Sequence, residues 1–532
     1  MRTPCETVSR SAPPEAPCKE SARPWILTAT ILASSMAFID STAVNIALPA
    51  LQESLHGTVV DVQWVVESYG LFLGALILVG GTLGDLLGRR LIFVVGTILF
   101  AVASLACGAS PNIQVLITAR SIQGVGAALL VPSSLAIIST SFDEKRRGLA
   151  IGTWSGWTAI TTAVGPVLGG WLVEHASWRW VFIINLPLAV AVTGISVWHI
   201  PESRSAIESR VDWSGALLAT GGLGGLVFGL IESTSLGWRD PLVFGSLIAA
   251  LGCLLGFAAL EVRSPCPMIP LSLFRNPNFI GPNLLTLFLY AAVGAFFFLL
   301  PMNLIQVQGY SATAAGAAIL PLILLMFLLS RWSGGLVVHY GPRTPLIVGS
   351  FVVAFGFILL AVPSVGADYW TTFFPAMTIL GLGMAVTVAP LTTDVMNSVD
   401  QDLVGTASGI NNAVARVAGV LGIAVLGIVM VWAFRARLDR ALDGLSLSPG
   451  ILQQIHAQET RLAGLQPPAS LDTPTKAAVT DLVRRGFAFA FRIVMMICAG
   501  LSLASAMVAL FMVPDVGEQN EHQRPFRISF KT

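Results

Sequence analysis

The chain has 532 residues, 55% of them hydrophobic and only 11% charged, with a mean hydropathy of +0.78. A soluble domain carries about a quarter of its residues as charges, so this composition excludes a water-solvated globule. The net charge of +1 offers no basic stripe for nucleic acid, and no nucleic-acid partner is expected.

Runs of roughly 20 apolar residues, the length that crosses a hydrocarbon layer ~30 Å thick, recur along almost the whole chain. Strands of a membrane barrel would be about 10 residues long with alternating polarity, so the expected fold class is an all-α polytopic membrane protein. Residues 1–24 are rich in Pro and Ser and are expected to form a disordered tail. The first apolar run begins at Trp25 and reaches about Leu51, too long for a signal-peptide core, and is expected to be a retained span. Further spans are expected to start near 62, 91, 113, 148, 178, 213, 241, 278, 312, 344, 370, 404 and 486, fourteen in all.

The lipid bilayer is therefore an obligatory partner. With the N-terminus placed in the cytoplasm, the inside loops hold Arg89, Arg90, Lys145, Arg146, Arg147, Arg204, Arg210, Arg263, Arg275 and Arg343, and the short outside loops only Arg179 and Arg239. That bias predicts both termini inside a cell membrane. Trp25, Trp178, Trp213, Trp238 and Trp370 fall near span ends, where an aromatic belt is expected. The long connection 434–484 is then external. Its "RARLDRALDGL" is read as a solvated loop or as a helix lying on the membrane surface.

"GGTLGDLLGRRLIF" between spans two and three has an echo in "GGLVVHYGPRTPLIVG" between spans ten and eleven. With spans seven and eight inserted, the rest divides into two six-helix halves carrying the echo at matching places, a duplication known among transporters. The expected units are residues 25–200 as a first six-helix bundle and 201–276 as two inserted spans with flanking loops. Residues 277–513 form a second bundle containing the external loop, and 514–532 form a cytoplasmic tail.

Charge inside a span is the sharpest functional signal. Asp40 lies 15 residues into span one, about 22 Å along the helix at 1.5 Å per residue. An ionisable group at that depth requires a partner or a watery cavity. The functional reading is a cavity-facing carboxylate that takes and gives a proton, and the structural one a buried hydrogen bond. Ser41 and Asn45 form a polar pair beside it, placed to orient Asp40 or touch cargo. Arg120 in span four stands within one turn of Gln123 and Gly124. It remains charged, so it acts by tuning or releasing a carboxylate, or as a fixed structural ion pair. Glu67, opening span two, is either an acidic group for cationic cargo or a wetted interface residue. Asp394 reads as a solvated helix end, and Arg416, near Asn411 and Asn412, as facing the cavity or a partner helix.

Several stretches resemble one family. "GTLGDLLGRR" is similar to the cytoplasmic signature of the major facilitator superfamily, and "IDSTAVNIALP" resembles the first-span signature of its fourteen-span drug:proton antiporters. "LITARSIQGVGAA" looks like the family's Arg-x-x-Gln-Gly motif, and "AVGPVLGGWL" like its antiporter motif, with Gly165, Pro166, Gly169 and Gly170 in register. Thr161 stands where the fuller motif often has glycine, and Glu67 where a small neutral residue is commoner. "PLSLFRNPNF" and "GTASGINNAVARVAGVLGIAVLG" are also similar, so the likeness covers roughly residues 25–513.

The resemblance implies a proton-coupled antiporter, not an enzyme, that exports hydrophobic, often cationic drugs by alternating access, or alternatively an endogenous lipid or secreted metabolite. It implies proton coupling through Arg120, beside which the residues themselves point to Asp40 as the proton carrier and to Asn45, Gln123, Glu67, Asn411 and Arg416 as candidates to line a substrate cavity. Conformational roles fall to Gly81, Asp85, Gly88, Arg89, Arg90, Gly165, Pro166, Gly169, Gly170 and Arg343. Asp85 is expected to latch onto a helix N-terminus or an Arg of the other half, and His339 makes the second turn a non-equivalent copy.

No phosphate-binding Gly-Lys-Ser/Thr loop is present, and the six cysteines show no metal-ligand spacing. The expectation is no metal and no cofactor, the proton gradient as driving force, and a monomer.

Overall fold

The protein, described from a computed structural model, is defined over residues 22–142, 144–204, 212–264, 271–399, 404–445 and 447–513. The expected tails, Arg210 and part of the 201–212 connection lie outside the described residues. No strand occurs among the described residues.

The first group of helices is α1 (Arg23–Ser54), α2 (Val59–Leu87), α3 (Arg89–Gly108), α4 (Ile113–Ser141), α5 (Glu144–His175), α6 (Trp180–Ile183) and α7 (Asn185–His199). Two further helices follow, α8 (Trp213–Glu232) and α9 (Pro241–Arg263). The last group is α10 (Pro277–Met302), α11 (Ala312–Ala318), α12 (Leu320–Tyr340), α13 (Arg343–Leu360), α14 (Phe374–Asn397), α15 (Val404–Leu442), α16 (Pro449–His456) and α17 (Thr473–Met512). Single π-turns extend α10 over Asn303–Val307 and precede α14 over Tyr369–Phe373.

Among the described residues, thirteen helical stretches are long and apolar enough to cross a membrane. The expected span near 148 is α5, which is not among those thirteen yet is 32 residues long, and it runs along α1. The chain is thus a multi-pass helical membrane protein. Its outward faces carry large apolar side chains, among them Val190, Trp198, Leu217, Leu242 and Val262, as a lipid solvent requires. Four of the belt tryptophans are exposed, but Trp178 is buried edge-on against Phe182 with Arg179 over its ring.

Within the first group α2 and α3 pack on α4, and α1 on α5 and α7. Within the last, α13 packs on α14 and α17, and α10 on α15 and α17. The two groups meet along α2–α15 and α5–α11. The inserted α8 packs on α9 and also reaches both α2 and α15. The echoed turns share a backbone feature, since Gly88 sits at φ +124° and Gly341 at φ +70°. Both values lie where a Cβ is disfavoured.

The connection expected over 434–484 is shorter than that. Helix α15 continues to Leu442 with Leu438 and Leu442 buried, and α17 already begins at Thr473. "RARLDRAL" is therefore neither a free loop nor a helix lying alone on a membrane, but the end of a long packed helix. The segment between, containing α16 and a 3₁₀ turn over Glu459–Gly464, folds back over one face of the bundle.

Candidate functional site

Asp40 and Arg120 are brought together directly. Arg120 Nη1 lies 2.5 Å from Asp40 Oδ2, and the side chains are 1% and 0% exposed. Helix α4 is aimed by Asn112, whose side chain caps its N-terminus by accepting from Val115 N–H. The small residues of α4 let it lie close on α2: a Cβ on Gly124 would stand 2.6 Å from the carbonyl of Tyr69.

Both carboxylate oxygens and two of the three guanidinium nitrogens are held. Arg120 Nε donates to Val65 O at 3.0 Å, and Nη1 also to Gln123 Oε1 at 2.8 Å. Gln123 Nε2 donates to Asp40 Oδ1 at 2.9 Å and to Ser104 Oγ at 2.7 Å. Asn185, the first residue of α7, donates from Nδ2 to Ser104 Oγ at 3.2 Å and to Asp40 Oδ1 at 3.5 Å. The Tyr69 ring covers the guanidinium at 4.3 Å and Phe182 flanks it at 5.8 Å, contacts a desolvated cation favours. Six helices thus contribute to one closed cluster.

Asp40 is accordingly sealed in this conformation rather than cavity-facing, because Arg120 supplies the charge that a watery cavity would otherwise have to screen. Ser104, Asn185, Tyr69 and Cys107, whose thiol donates to Gln123 Oε1 at 3.7 Å, were not singled out by sequence. Neutral polar residues are too common in these spans to stand out.

The other expected residues fall elsewhere. Asn45 donates to Ser41 O at 3.1 Å, and Ser41 to Phe38 O, so both bond their own helix rather than orient Asp40. Glu67 is not a wetted interface residue. It is fully buried, with neither carboxylate oxygen hydrogen-bonded, on the face of α2 that carries Gln63, Gly70 and Gly74 to α15. Asp394 is likewise 3% exposed rather than solvated, with Oδ2 unpartnered. Asn411 donates to Asn283 Oδ1 at 3.1 Å and Thr286 Oγ1 at 2.8 Å across to α10. Arg416 faces a partner helix, its Cβ 3.4 Å from where Gly74 would carry one.

The opening motif does not reach across to the other half. Asp85 Oδ1 accepts from Arg89 Nη2 at 2.6 Å and Nε at 2.9 Å, an i,i+4 pair spanning the break at Gly88. The helix N-terminus in this turn is α3's own, and Glu202 takes it, accepting from Arg90 N–H at 3.0 Å and Leu91 N–H at 3.1 Å. Arg90 Nη1 donates to Ile200 O at 3.1 Å. The latch contact expected of Asp85 is thus replaced by a clamp of the turn onto residues 200–203 of the same group. Glu202→Ala removes two charge-assisted caps and is expected to cost about 1 kcal/mol. The readout is a lower thermal unfolding midpoint in detergent, and an unchanged midpoint contradicts the clamp. In the second turn His339 bonds Gly335 O and Arg343 donates to Leu510 O at 2.5 Å, so the copies differ as their sequences do. Gly81 lies against Pro132 of α4.

The glycines of α5 make two seams. Gly165 and Gly169 rest on Thr42 and Ala43 of α1, where added Cβ atoms would clash. Gly170 rests on the Ala312 backbone of α11, and Gly316 of α11 on the carbonyl of Pro166. Below that contact α5 and α12 part around a cavity of about 530 Å³ lined by Ile160, Val164, Trp171, Leu324 and Phe327, with Thr313 at its edge. None of the five expected cavity residues lines it. The α2–α15 seam is continuous, from Gln63 donating to Ile423 O at 3.2 Å to Leu78 against Gly409.

The connection after α15 bridges both groups on the α5–α11 face. Gln52 of α1 donates to Arg461 O at 3.2 Å and accepts from Gln306 at 2.9 Å. Sequence spacing suggested no metal-type cluster, but folding brings Asp439, His456 and Glu459 together with ligand atoms within 4.8 Å. His456 pairs with Glu459, and Arg435 Nε, 3.2 Å from Glu459, supplies the opposing charge.

A duplicated helical bundle with a sealed ion pair inside one half is the architecture of a secondary transporter. Residues 30–423 match the Major Facilitator Superfamily, and the chain belongs to that family. It is 34% identical over 507 residues to the tetracenomycin C resistance and export protein of Streptomyces glaucescens, covering 92% of this chain and 91% of that one. It is 36% identical over 419 residues to the multidrug resistance protein Stp of Mycobacterium tuberculosis, covering 78% of each. The crystal structure of a bacterial homolog of the human lysosomal transporter Spinster, inward-facing and unoccupied, superposes with a TM-score of 0.64 at 16% identity, covering 92% of this chain and 98% of that one.

Proposed function

We propose that the protein is a proton-coupled antiporter of the cell membrane that exports small hydrophobic, often cationic compounds. The observation that carries this reading is the Asp40–Arg120 pair, a titratable carboxylate held by a permanent cation and buried within a membrane-spanning bundle. A proton reaching Asp40 cancels the charge that holds Arg120, and the freed guanidinium favours a different arrangement of α1 and α4. Coupling then follows if the two arrangements open the bundle to opposite sides.

The apolar wall of the α5–α12 cavity suits hydrophobic cargo. Gln123 is held in the Asp40 cluster, while Asn45, Glu67, Asn411 and Arg416 meet cargo only in another arrangement of the helices. Gating is assigned to Gly81, Asp85, Gly88, Arg89, Arg90 and Arg343 at the two turns and to Gly165, Pro166, Gly169 and Gly170 on α5. In this reading the α2–α3 turn and both termini are cytoplasmic, following the Arg and Lys bias. The α5–α11 face is external, the protein works as a monomer, and the proton gradient replaces any cofactor.

The relatives named for drug and antibiotic resistance support export of toxic compounds. A secreted metabolite or an endogenous lipid is the alternative cargo. The test is a transport screen in reconstituted vesicles with an imposed pH gradient, using cationic dyes beside anionic and neutral compounds. Gradient-driven movement of cationic dyes is expected. No gradient-driven movement of any compound contradicts the reading.

A further inference from the structure

Asp40 is surrounded by donors. Arg120 has donors only, and Gln123 presents Nε2 to it while Gln123 Oε1 is taken by Arg120 and Cys107. Asn185 also presents a donor, Nδ2, shared between Asp40 Oδ1 and Ser104 Oγ. This set suits a carboxylate and has no acceptor for the O–H of a carboxylic acid. Two oxygens in the cluster have no hydrogen-bond partner among the described residues: Tyr69 Oη, whose ring lies over the guanidinium, and Asn185 Oδ1, whose side chain already reaches Asp40. Asn185 is 0% exposed.

We propose that Asn185 is a positioning residue whose carboxamide turns over when Asp40 takes up a proton, so that Oδ1 replaces Nδ2 and accepts from both the Asp40 O–H and the Ser104 hydroxyl. The turn-over uses a two-fold side-chain torsion with two comparable wells and needs no backbone change. In the ionised state Nδ2 donates to the carboxylate. In the protonated state the same place holds an acceptor, at the distances of 3.5 and 3.2 Å that Nδ2 now occupies. Asn185 thereby supports the carboxylic acid once Arg120 has been released. Because it opens α7, it carries the protonation state to a helix that packs on both α1 and α3.

Few other groups compete for this proton. The ionisable groups within the cluster are Arg120, Tyr69 and Cys107. Of the other helices packed on α1, α10 carries Tyr290 as its one titratable residue and α7 only His199, at its last position. Helices α6 and α11 carry none, and those of α5 lie in its first and last turns. Helix α2 adds Asp61 and Asp85 near its ends and Glu67 on its α15-facing side. The 3₁₀ turn adds Glu459 and Arg461 beyond the end of α1.

The inference rests on Asp40 being the proton carrier, and one experiment separates the two claims without knowing the cargo. Infrared difference spectra between neutral and acid pH are recorded on the reconstituted full chain, wild type and variants. The carboxyl C=O band that Asp40→Asn removes belongs to Asp40. Asn185→Leu is expected to move that band to higher frequency, because the O–H loses its acceptor.

Asn185→Ser, whose hydroxyl both donates and accepts, is expected to fall between, and it decides the question should the Leu variant not fold. A C=O band unmoved in the folded variants overturns the role of Asn185 alone. An unchanged difference spectrum in Asp40→Asn overturns the proton reading itself.

Discussion

Asp40→Asn is expected to abolish gradient-driven efflux in proteoliposomes while leaving the protein inserted and able to bind cargo. The carboxamide keeps the shape of the carboxylate but loses the charge opposite Arg120, which is 1% exposed and 2.5 Å away. Breaking a buried pair by removing one partner costs about 3–5 kcal/mol, so the variant should also unfold at a lower temperature. That second effect is a confounder, since a merely structural ion pair predicts it too.

The double variant Asp40→Asn, Arg120→Gln separates the two. Replacing both charges leaves no uncompensated ion, and such neutral replacements are often close to wild type in stability. Its unfolding midpoint should recover toward wild type, while gradient-driven efflux stays absent because nothing in the cluster takes up a proton. Efflux that returns with stability assigns the pair a structural role only.

The ends of this cluster were legible in sequence for a definite reason. An Asp and an Arg within spans are so costly in hydrocarbon that each announces a partner, and Gln123 follows from the motif around Arg120. Ser104 and Asn185 are as well placed in space but chemically unremarkable, and α3 and α7 bring them to Asp40 only through packing. Burial was the other failure. Glu67 and Asp394 sit near helix ends in sequence, where water is the natural expectation, and it is α15 lying against α2 that removes it from Glu67.

The Asp85–Arg89 pair has a readable i,i+4 spacing, yet whether it turns inward or across to the other group depends on Glu202, 112 residues beyond Arg90, occupying the helix end that Asp85 was expected to meet. The boundaries show the same limit. Most span starts lie within a few residues of the observed helices because hydropathy changes sharply there, but α15 outruns its apolar stretch. Leu438 and Leu442 pack inward on a turn whose charged residues suggested a solvated loop or a helix lying on the membrane.

Replacing Gly170 with Leu is expected to weaken closure of the α5–α11 face. A Cβ at Gly170 already meets the backbone of Ala312, and on the other side of the seam Gly316 meets the carbonyl of Pro166, so neither helix has a flexible side chain to move aside. Overpacking a close contact costs about 1–3 kcal/mol. Inside a single bundle that strain would be absorbed as lost stability. At a seam between two groups it is relieved by separating them, and the ratio of closed to open arrangements should fall by about 5- to 150-fold.

Cysteines at positions 174 and 313 read this out, since Glu174 Oε2 accepts from Thr313 N–H at 3.2 Å when the face is shut. Disulfide formation between them should slow in Gly170→Leu as the closed fraction falls, with efflux slowed alongside. Gly152→Leu on the same helix is the control, because an added Cβ there meets nothing within 4 Å. Equal cross-linking in both variants would mean that α5 and α11 separate without passing through this contact, and the glycines of α5 would then serve packing rather than closure.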